Sequence, residues 1–504
     1  MGMNRALFPL LSVAFSLVSA GSAGAATFTV SPATRGASDS GCRPCRTIGG
    51  AIIKAGALSG TDRINVAAGT YTERLGLAPT NTVILTGLGA VTVLNSNTGY
   101  SPALTMESNS TVRNIGFKVG GTIGVEIFAG RLEAVRVNMT RGSGSEAGIY
   151  VRDGGSAQAV ISSTTVQMQN NDRANYGLYA ESDTQQVVVD RSSFYGGYAV
   201  DLVGNGPVSI NRAKIYGSIY GINVDGAGNK SITNSLLVAG TTGSGPATSY
   251  GTGVNINGPS SADVFLGSST LVGHGSTASP GNYGIDVWRS GASYVTLTAT
   301  RVAFAGFQTV MRARLDTGSF SDIRTTVTDS FMEIPSFDFD RSLRTPVTTN
   351  LYLFPDPGFR NAAAGDYRLQ PTSTMVDRSS AAIANDAADI RGGGRPRNGD
   401  GTRTPDLDIG AFEYQPAPGI SRAPSVVGRA QVGRVVRCAA GTWSGGPVTY
   451  GYQWFRGARP LRGGTRTTYR LQRADRRSLV KCTVKATSLD GVPRTASSRA
   501  VRVR

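Results

Sequence analysis

One short phrase, a small residue followed by an apolar, a freely chosen and a second apolar residue, returns through the stretch from Thr111 to Ser330. It reads Gly124-Val125-Glu126-Ile127, Gly148-Ile149-Tyr150-Val151, Gly177-Leu178-Tyr179-Ala180 and Ala199-Val200-Asp201-Leu202. It continues as Gly221-Ile222-Asn223-Val224, Gly253-Val254-Asn255-Ile256, Gly284-Ile285-Asp286-Val287 and a weaker Thr309-Val310-Met311-Arg312. Successive starts lie 24, 29, 22, 22, 32, 31 and 25 residues apart, too regular for unrelated strands and too loose for a strict short repeat. Alternating segments such as Val208 to Ile215 and Val264 to Leu271 precede most of these rungs. Two or three short strands per repeat, divided by Gly, Asn and Ser turns, describe a chain wound in flat coils. Each coil would pair with those above and below and share one continuous core.

This pattern resembles the right-handed parallel β-helix, the pectate-lyase-like architecture, from about Ala26 to Tyr414. The expected fold class is all-β: a right-handed parallel β-helix with a short N-terminal capping helix, followed by an Ig-like β-sandwich. The 66 glycines are about twice the usual share, which suits coil corners that need φ > 0.

The basic start Met1 to Arg5, the apolar run Ala6 to Val18 and the small-residue stretch Ala20 to Ala26 have the order of a secretory signal peptide, expected over residues 1–26. No later stretch is long and apolar enough for a membrane helix. Extracellular or cell-surface location follows as the expectation. In an oxidising compartment Cys42 and Cys45 read as a small structural disulfide, with a redox pair as the alternative. Thr47 to Ala55 suits an amphipathic helix capping the coil at about residues 42–60, ahead of a β-helix spanning 27–355.

Strand side chains alternate, so the free-choice positions Glu126, Tyr150, Tyr179, Asp201, Asn223, Asn255 and Asp286 should form one outward file. A second file two residues on holds Arg152, Asp225 and Trp288. Flat aromatic faces beside amide, carboxylate and guanidinium groups suit a sugar chain, so Glu126, Tyr150, Arg152, Tyr179, Asn223, Asn255 and Trp288 are the candidate glycan-binding residues; a merely solvated face is the competing reading. Asp201, Asp225 and Asp286 are the candidate catalytic carboxylates. Strand geometry puts the Cα atoms of Asp201 and Asp225 roughly 8 Å apart, near the carboxylate spacing of inverting glycosidases. Gly273-His274-Gly275 resembles a polygalacturonase motif, but no Asn-Thr-Asp, Asp-Asp or Arg-Ile-Lys accompanies it, and His274 falls in a turn slot.

From Asp356 the texture changes. Asp356-Pro-Gly-Phe359, Gly365-Asp-Tyr-Arg-Leu369, Asp389-Ile-Arg-Gly392 and Asp408-Ile-Gly-Ala-Phe-Glu-Tyr414 are similar to the tail of the secreted choice-of-anchor Q family. That resemblance implies a module over 356–414 that closes a β-helix ahead of a surface anchor. Asn398 to Asp408 faintly follows a calcium loop but lacks the twelfth-position Glu. No cofactor or metal is therefore expected, calcium being the one weighed. Residues 415–419 read as a linker. Beyond it, residues 420–504 place Trp454 between Cys438 and Cys482, which resembles an Ig-like sandwich and implies a disulfide between those cysteines. This last domain carries 18 Arg and Lys against two Asp, while the whole chain is +17. The charge points to a polyanionic partner, and export favours an acidic envelope polymer over nucleic acid. The functional expectation is a monomeric, exported β-helix that binds polysaccharide as an adhesin or scaffold, with a polysaccharide lyase or glycoside hydrolase as the alternative.

Overall fold

A computed structural model describes residues 25–31, 37–58, 60–78, 82–97, 99–140, 145–153, 157–169, 175–240, 251–257, 261–274, 281–289, 293–315, 322–333, 336–340, 343–380, 383, 386–399, 405–445 and 448–504. The expected signal peptide falls almost entirely outside these residues, as do residues 400–404 of the calcium-like stretch.

The first part of the chain is a parallel β-helix whose strands stack into three long sheets. The back sheet runs coil by coil through strands such as Val187–Asp190, Val208–Asn211 and Gly228–Thr233. The side sheet contains the first halves of Ser193–Leu202 and Lys214–Val224, then Leu236–Ala239 and Thr270–Gly273. The front sheet holds the rungs. Seven of the eight rungs stack in the expected register: Glu126, Tyr150, Tyr179, Asp201, Asn223, Asn255 and Asp286 are successive partners. Their apolar neighbours, such as Val200, Ile222 and Val254, are fully buried in one core running the length of the coil. The eighth rung is displaced by one residue. Asp286 pairs with Arg312, and Met311 points into the core, because a buried apolar side chain outweighs the small-residue cue at Thr309.

Two local devices fix the coil. At the corner between back and side sheets the chain turns through one left-handed residue per coil, for example Arg191, Arg212, Asn234 and Ser268, with φ between 45° and 52°. Glycine was expected at such corners, yet this file contains none. Each N–H instead donates to the next coil's carbonyl, as from Arg212 to Thr233 at 3.1 Å and from Asn234 to Gly267 at 3.0 Å, bonds that hold non-glycine residues in this sparsely populated region. Next to the corner, Ser192, Ser235, Ser269 and Ser330 accept from the preceding coil's backbone and donate back to the strand before them. The rung glycines answer a different need. A Cβ on Gly221 would lie 2.6 Å from the Gly253 carbonyl oxygen, so the coils stack closely only because that atom is missing.

The helix Ile48–Gly56 caps the N-terminal end, burying Ile48, Ala51 and Ala55. Thr47 accepts from Gly50 N–H at 2.9 Å, and the Glu73 carboxylate accepts from Ile48 and Gly49, satisfying the free donors of its first turn. Cys42 and Cys45 are disulfide-bonded beside it.

The described residues of the tail pack against the flank of the coil. Phe359, Tyr367, Leu369, Met375, Ile409 and Phe412 pack sideways on the outward residues Leu236, Val238, Val272, Ala305 and Phe331 of the side sheet. His274 contacts Tyr367 there at 2.5 Å, within the tail interface. The C-terminal sheets are antiparallel and form the Ig-like sandwich, with Cys438 bonded to Cys482 and Trp454 buried in the same core. The expected linker begins as a fixed joint: Gln415 is buried, its N–H donates to Asp490 at 2.6 Å, and Arg391 donates to the other oxygen of Asp490 at 2.7 Å.

Candidate functional site

The outward front-sheet file is less exposed than a solvated face, because strands about 4.8 Å apart let stacked side chains cover one another. At its centre Asp201, only 3% exposed, and Asp225 come from consecutive coils. The Asn223 amide nitrogen donates to Asp201 Oδ1 at 2.8 Å and to Asp225 Oδ2 at 3.0 Å. Asn255 in turn donates to Asn223 Oδ1 at 2.6 Å, fixing which edge of that amide faces the carboxylates. With both bonds leaving one trigonal nitrogen, the two accepting oxygens lie about 5 Å apart.

Burial pushes the Asp201 carboxyl up to about 7, with the Asn223 bond opposing and the Asp225 charge adding to the rise. Asp225 also rises through burial, moderated by Asn223 and by the cation of Arg289. Arg289, fully buried, donates to the Asn257 carbonyl at 3.2 Å, and burial lowers its guanidinium to about 10. The Oδ1 atom of Asp225 is enclosed and accepts no hydrogen bond from the described residues.

Alongside the pair runs a strip of tyrosines. Tyr176, Tyr198 and Tyr220 are register partners on consecutive coils, and with Tyr179 and Tyr150 they form an unbroken series. Ring centroids are 5.1 Å apart for Tyr150 and Tyr179, 5.0 Å for Tyr179 and Tyr176, 5.6 Å for Tyr176 and Tyr198, and 4.7 Å for Tyr198 and Tyr220. All five are half-buried. Burial, with the nearby Asp201 carboxylate, raises the Tyr176 hydroxyl to about 12, so that ring stays a neutral hydrogen-bonding group. A cleft of about 320 Å³ opens at one end of the strip, walled by Tyr100, Tyr150, Tyr176 and Tyr179 with Glu146 and Ser145.

The remaining candidates are dispersed or engaged. Glu126 is bound by Arg152 at 2.7 Å and by the Tyr100 hydroxyl, while Arg152 lies 4.3 Å over the Tyr150 ring. The Tyr150 hydroxyl donates to Glu181. Asp286 is gripped by Arg312 through two bonds of 2.8 and 2.5 Å, which makes it an ion-pair partner outside the Asp201 and Asp225 arrangement. Trp288 is 45% exposed on the same sheet, three rungs from Asp201. Sequence reasoning missed Tyr100, Glu146, Tyr176, Tyr198, Tyr220 and Arg289. For three of these the signal was present, since tyrosine precedes the small rung residue at Tyr176-Gly177, Tyr198-Ala199 and Tyr220-Gly221. Among the described residues, no group of three or more His, Cys, Asp or Glu is placed to hold a metal, and no helix is long and apolar enough to cross a membrane.

No family model matches the sequence, and no curated protein matches it. Among solved structures, the chain is similar to the pectin methylesterase from Aspergillus niger in deglycosylated form, at 13% identity and a TM-score of 0.27, covering 64% of this chain and 86% of that one. At that score too little structure superposes for the match to bear on activity, and the β-helix stands on the strand register itself.

Proposed function

We propose that this protein is an exported glycan-binding β-helix whose front sheet lays an oligosaccharide along the tyrosine strip. The observation that carries this reading is the unbroken series from Tyr150 to Tyr220, which offers stacking surface over four coils beside the amides and carboxylates of Asn223, Asp201 and Asp225. Sugar rings stack on such faces while their hydroxyls exchange bonds with flanking polar groups. The tail and the cationic Ig-like domain then act as the attachment end at the cell surface. Binding of the purified protein to an array of polysaccharides, compared with a Tyr176→Ala/Tyr179→Ala variant, tests this. Loss of binding with an unchanged melting transition supports the strip; equal binding by the variant removes it.

A second reading, hydrolysis at the glycosidic bond, is favoured by the carboxylate pair. Two carboxyl groups about 5 Å apart match the spacing of retaining glycosidases. The raised Asp201 suits the proton donor and Asp225, beside Arg289, the nucleophile. Reducing ends released from a bound polysaccharide, and absent with Asp225→Asn, are its test.

A further inference from the structure

We infer that the tyrosine-walled cleft recognises a protonated amino sugar, a glycan carrying free amines in place of N-acetyl or uronate groups. The inference rests on the glycan-binding reading and names the ligand class.

The cleft combines the two features that an ammonium group selects. Four tyrosines, Tyr100, Tyr150, Tyr176 and Tyr179, line one space of about 320 Å³, and among the described residues the charged one on its wall is Glu146, 1% exposed. A cation over an aromatic face is attracted by the ring quadrupole, more strongly as water is removed. These rings already take one, since Arg152 sits 4.3 Å from the centre of Tyr150 and 5.8 Å from that of Tyr100.

The wider surroundings have the same sign. Along the strip stand the carboxylates Glu126 and Glu181, which bind Arg152 and Tyr150, then Glu146 and Asp225, beside Asp201, whose carboxyl is raised to about 7 and retains its proton below neutrality. Among the described residues the cations beside them are Arg152, already held by Glu126, and the buried Arg289. A polyuronate laid here would set its carboxylates against these, and like charges at short range oppose binding. An amine-bearing sugar brings positive charge to them instead.

The test is titration calorimetry on the intact protein at a pH where the amines are protonated, with three probes: a glucosamine hexamer, an N-acetylglucosamine hexamer and a lysine hexamer. The expected result is about tenfold tighter binding of the glucosamine hexamer than of its acetylated counterpart, a ratio that corresponds to about 1.4 kcal/mol. Glu146→Gln should shrink this ratio while acetylated-sugar binding persists. Tyr100→Leu, at a largely exposed position, should also shrink it and covers the case in which the buried Glu146 variant fails to fold. Equal affinities for the two sugars, unchanged ratios in both variants, or equally tight binding of the lysine hexamer would overturn the amino-sugar assignment. Binding of the acetylated hexamer without any preference defeats this inference alone, whereas no binding of either sugar defeats the glycan reading with it.

Discussion

Asp201 and Asp225, one coil apart, accept hydrogen bonds from the same amide nitrogen, that of Asn223, at 2.8 and 3.0 Å. A single donor thus holds the buried Asp201 carboxyl and the half-buried Asp225 carboxyl in fixed relation, and burial, with the Asp225 charge adding to it, keeps Asp201 reluctant to ionise.

That reluctance sets a pH dependence of stability. The Asp201 carboxyl is raised to about 7 in the folded protein, whereas in the unfolded chain it titrates near 3.9. Between these values the native state holds a proton that the unfolded state has released, so the favourable contribution is complete below the lower value and is lost as pH rises through about 7. Each tenfold change in proton affinity is worth about 1.4 kcal/mol, so Asp201→Asn should raise stability by a few kcal/mol above neutrality and change it little in acid. Denaturant unfolding of both proteins across pH checks this; a gain that is the same at every pH would show that Asp201 does not titrate as described.

On the hydrolytic reading, Asp201→Asn should lower the rate of glycan cleavage by about 10²–10⁴, the usual contribution of a positioned acid or base, and Asp225→Asn, which removes the nucleophile, should abolish it. Unaltered product release in both variants would leave the pair a purely binding feature.

Close stacking of the rungs gives a packing prediction. Gly221→Ala places a methyl group 2.6 Å from the Gly253 carbonyl oxygen, and forcing the coils apart should cost about 1–3 kcal/mol. A melting temperature equal to that of the parent would mean that the coil tolerates a wider spacing.

In the Ig-like domain both acids are engaged, Asp475 within the domain and Asp490 by the preceding tail. Asp475, 0% exposed, binds Arg456 and Tyr469, and Asp490, 1% exposed, binds Arg391. Exposed arginines such as Arg422, Arg437 and Arg470 thus present positive charge without acidic neighbours on that domain. An envelope attachment made by these residues should weaken as salt rises, since the Debye length falls from about 8 Å at physiological ionic strength to about 3 Å at 1 M. Replacing Arg437 and Arg470 by Glu should release the protein at lower salt. Retention unaffected by either treatment would exclude a charge-held tether.

By itself the sequence determined the solenoid, its register over seven rungs, the capping helix and the Ig-like sandwich. The solenoid, its register and the cap follow from periodic burial, and periodicity is written along the chain: an apolar residue either side of each free position leaves a strand one way to face the core; the sandwich was marked instead by Trp454 between Cys438 and Cys482. The outward file from Glu126 to Asp286 was legible for the same reason, as was the tyrosine that repeatedly precedes the small rung residue. Tertiary structure decided what those side chains do to one another. Whether Asp286 stands free or is gripped by Arg312, whether Asp201 and Asp225 share one amide, and which outward residues of the side sheet the tail packs on depend on rotamers and on contacts between distant residues, and no local period encodes them. The displaced eighth rung belongs to the same class, because burying Met311 is a property of the assembled core. So does the serine file at the corner, whose hydroxyls find their partners only once one coil lies upon the next.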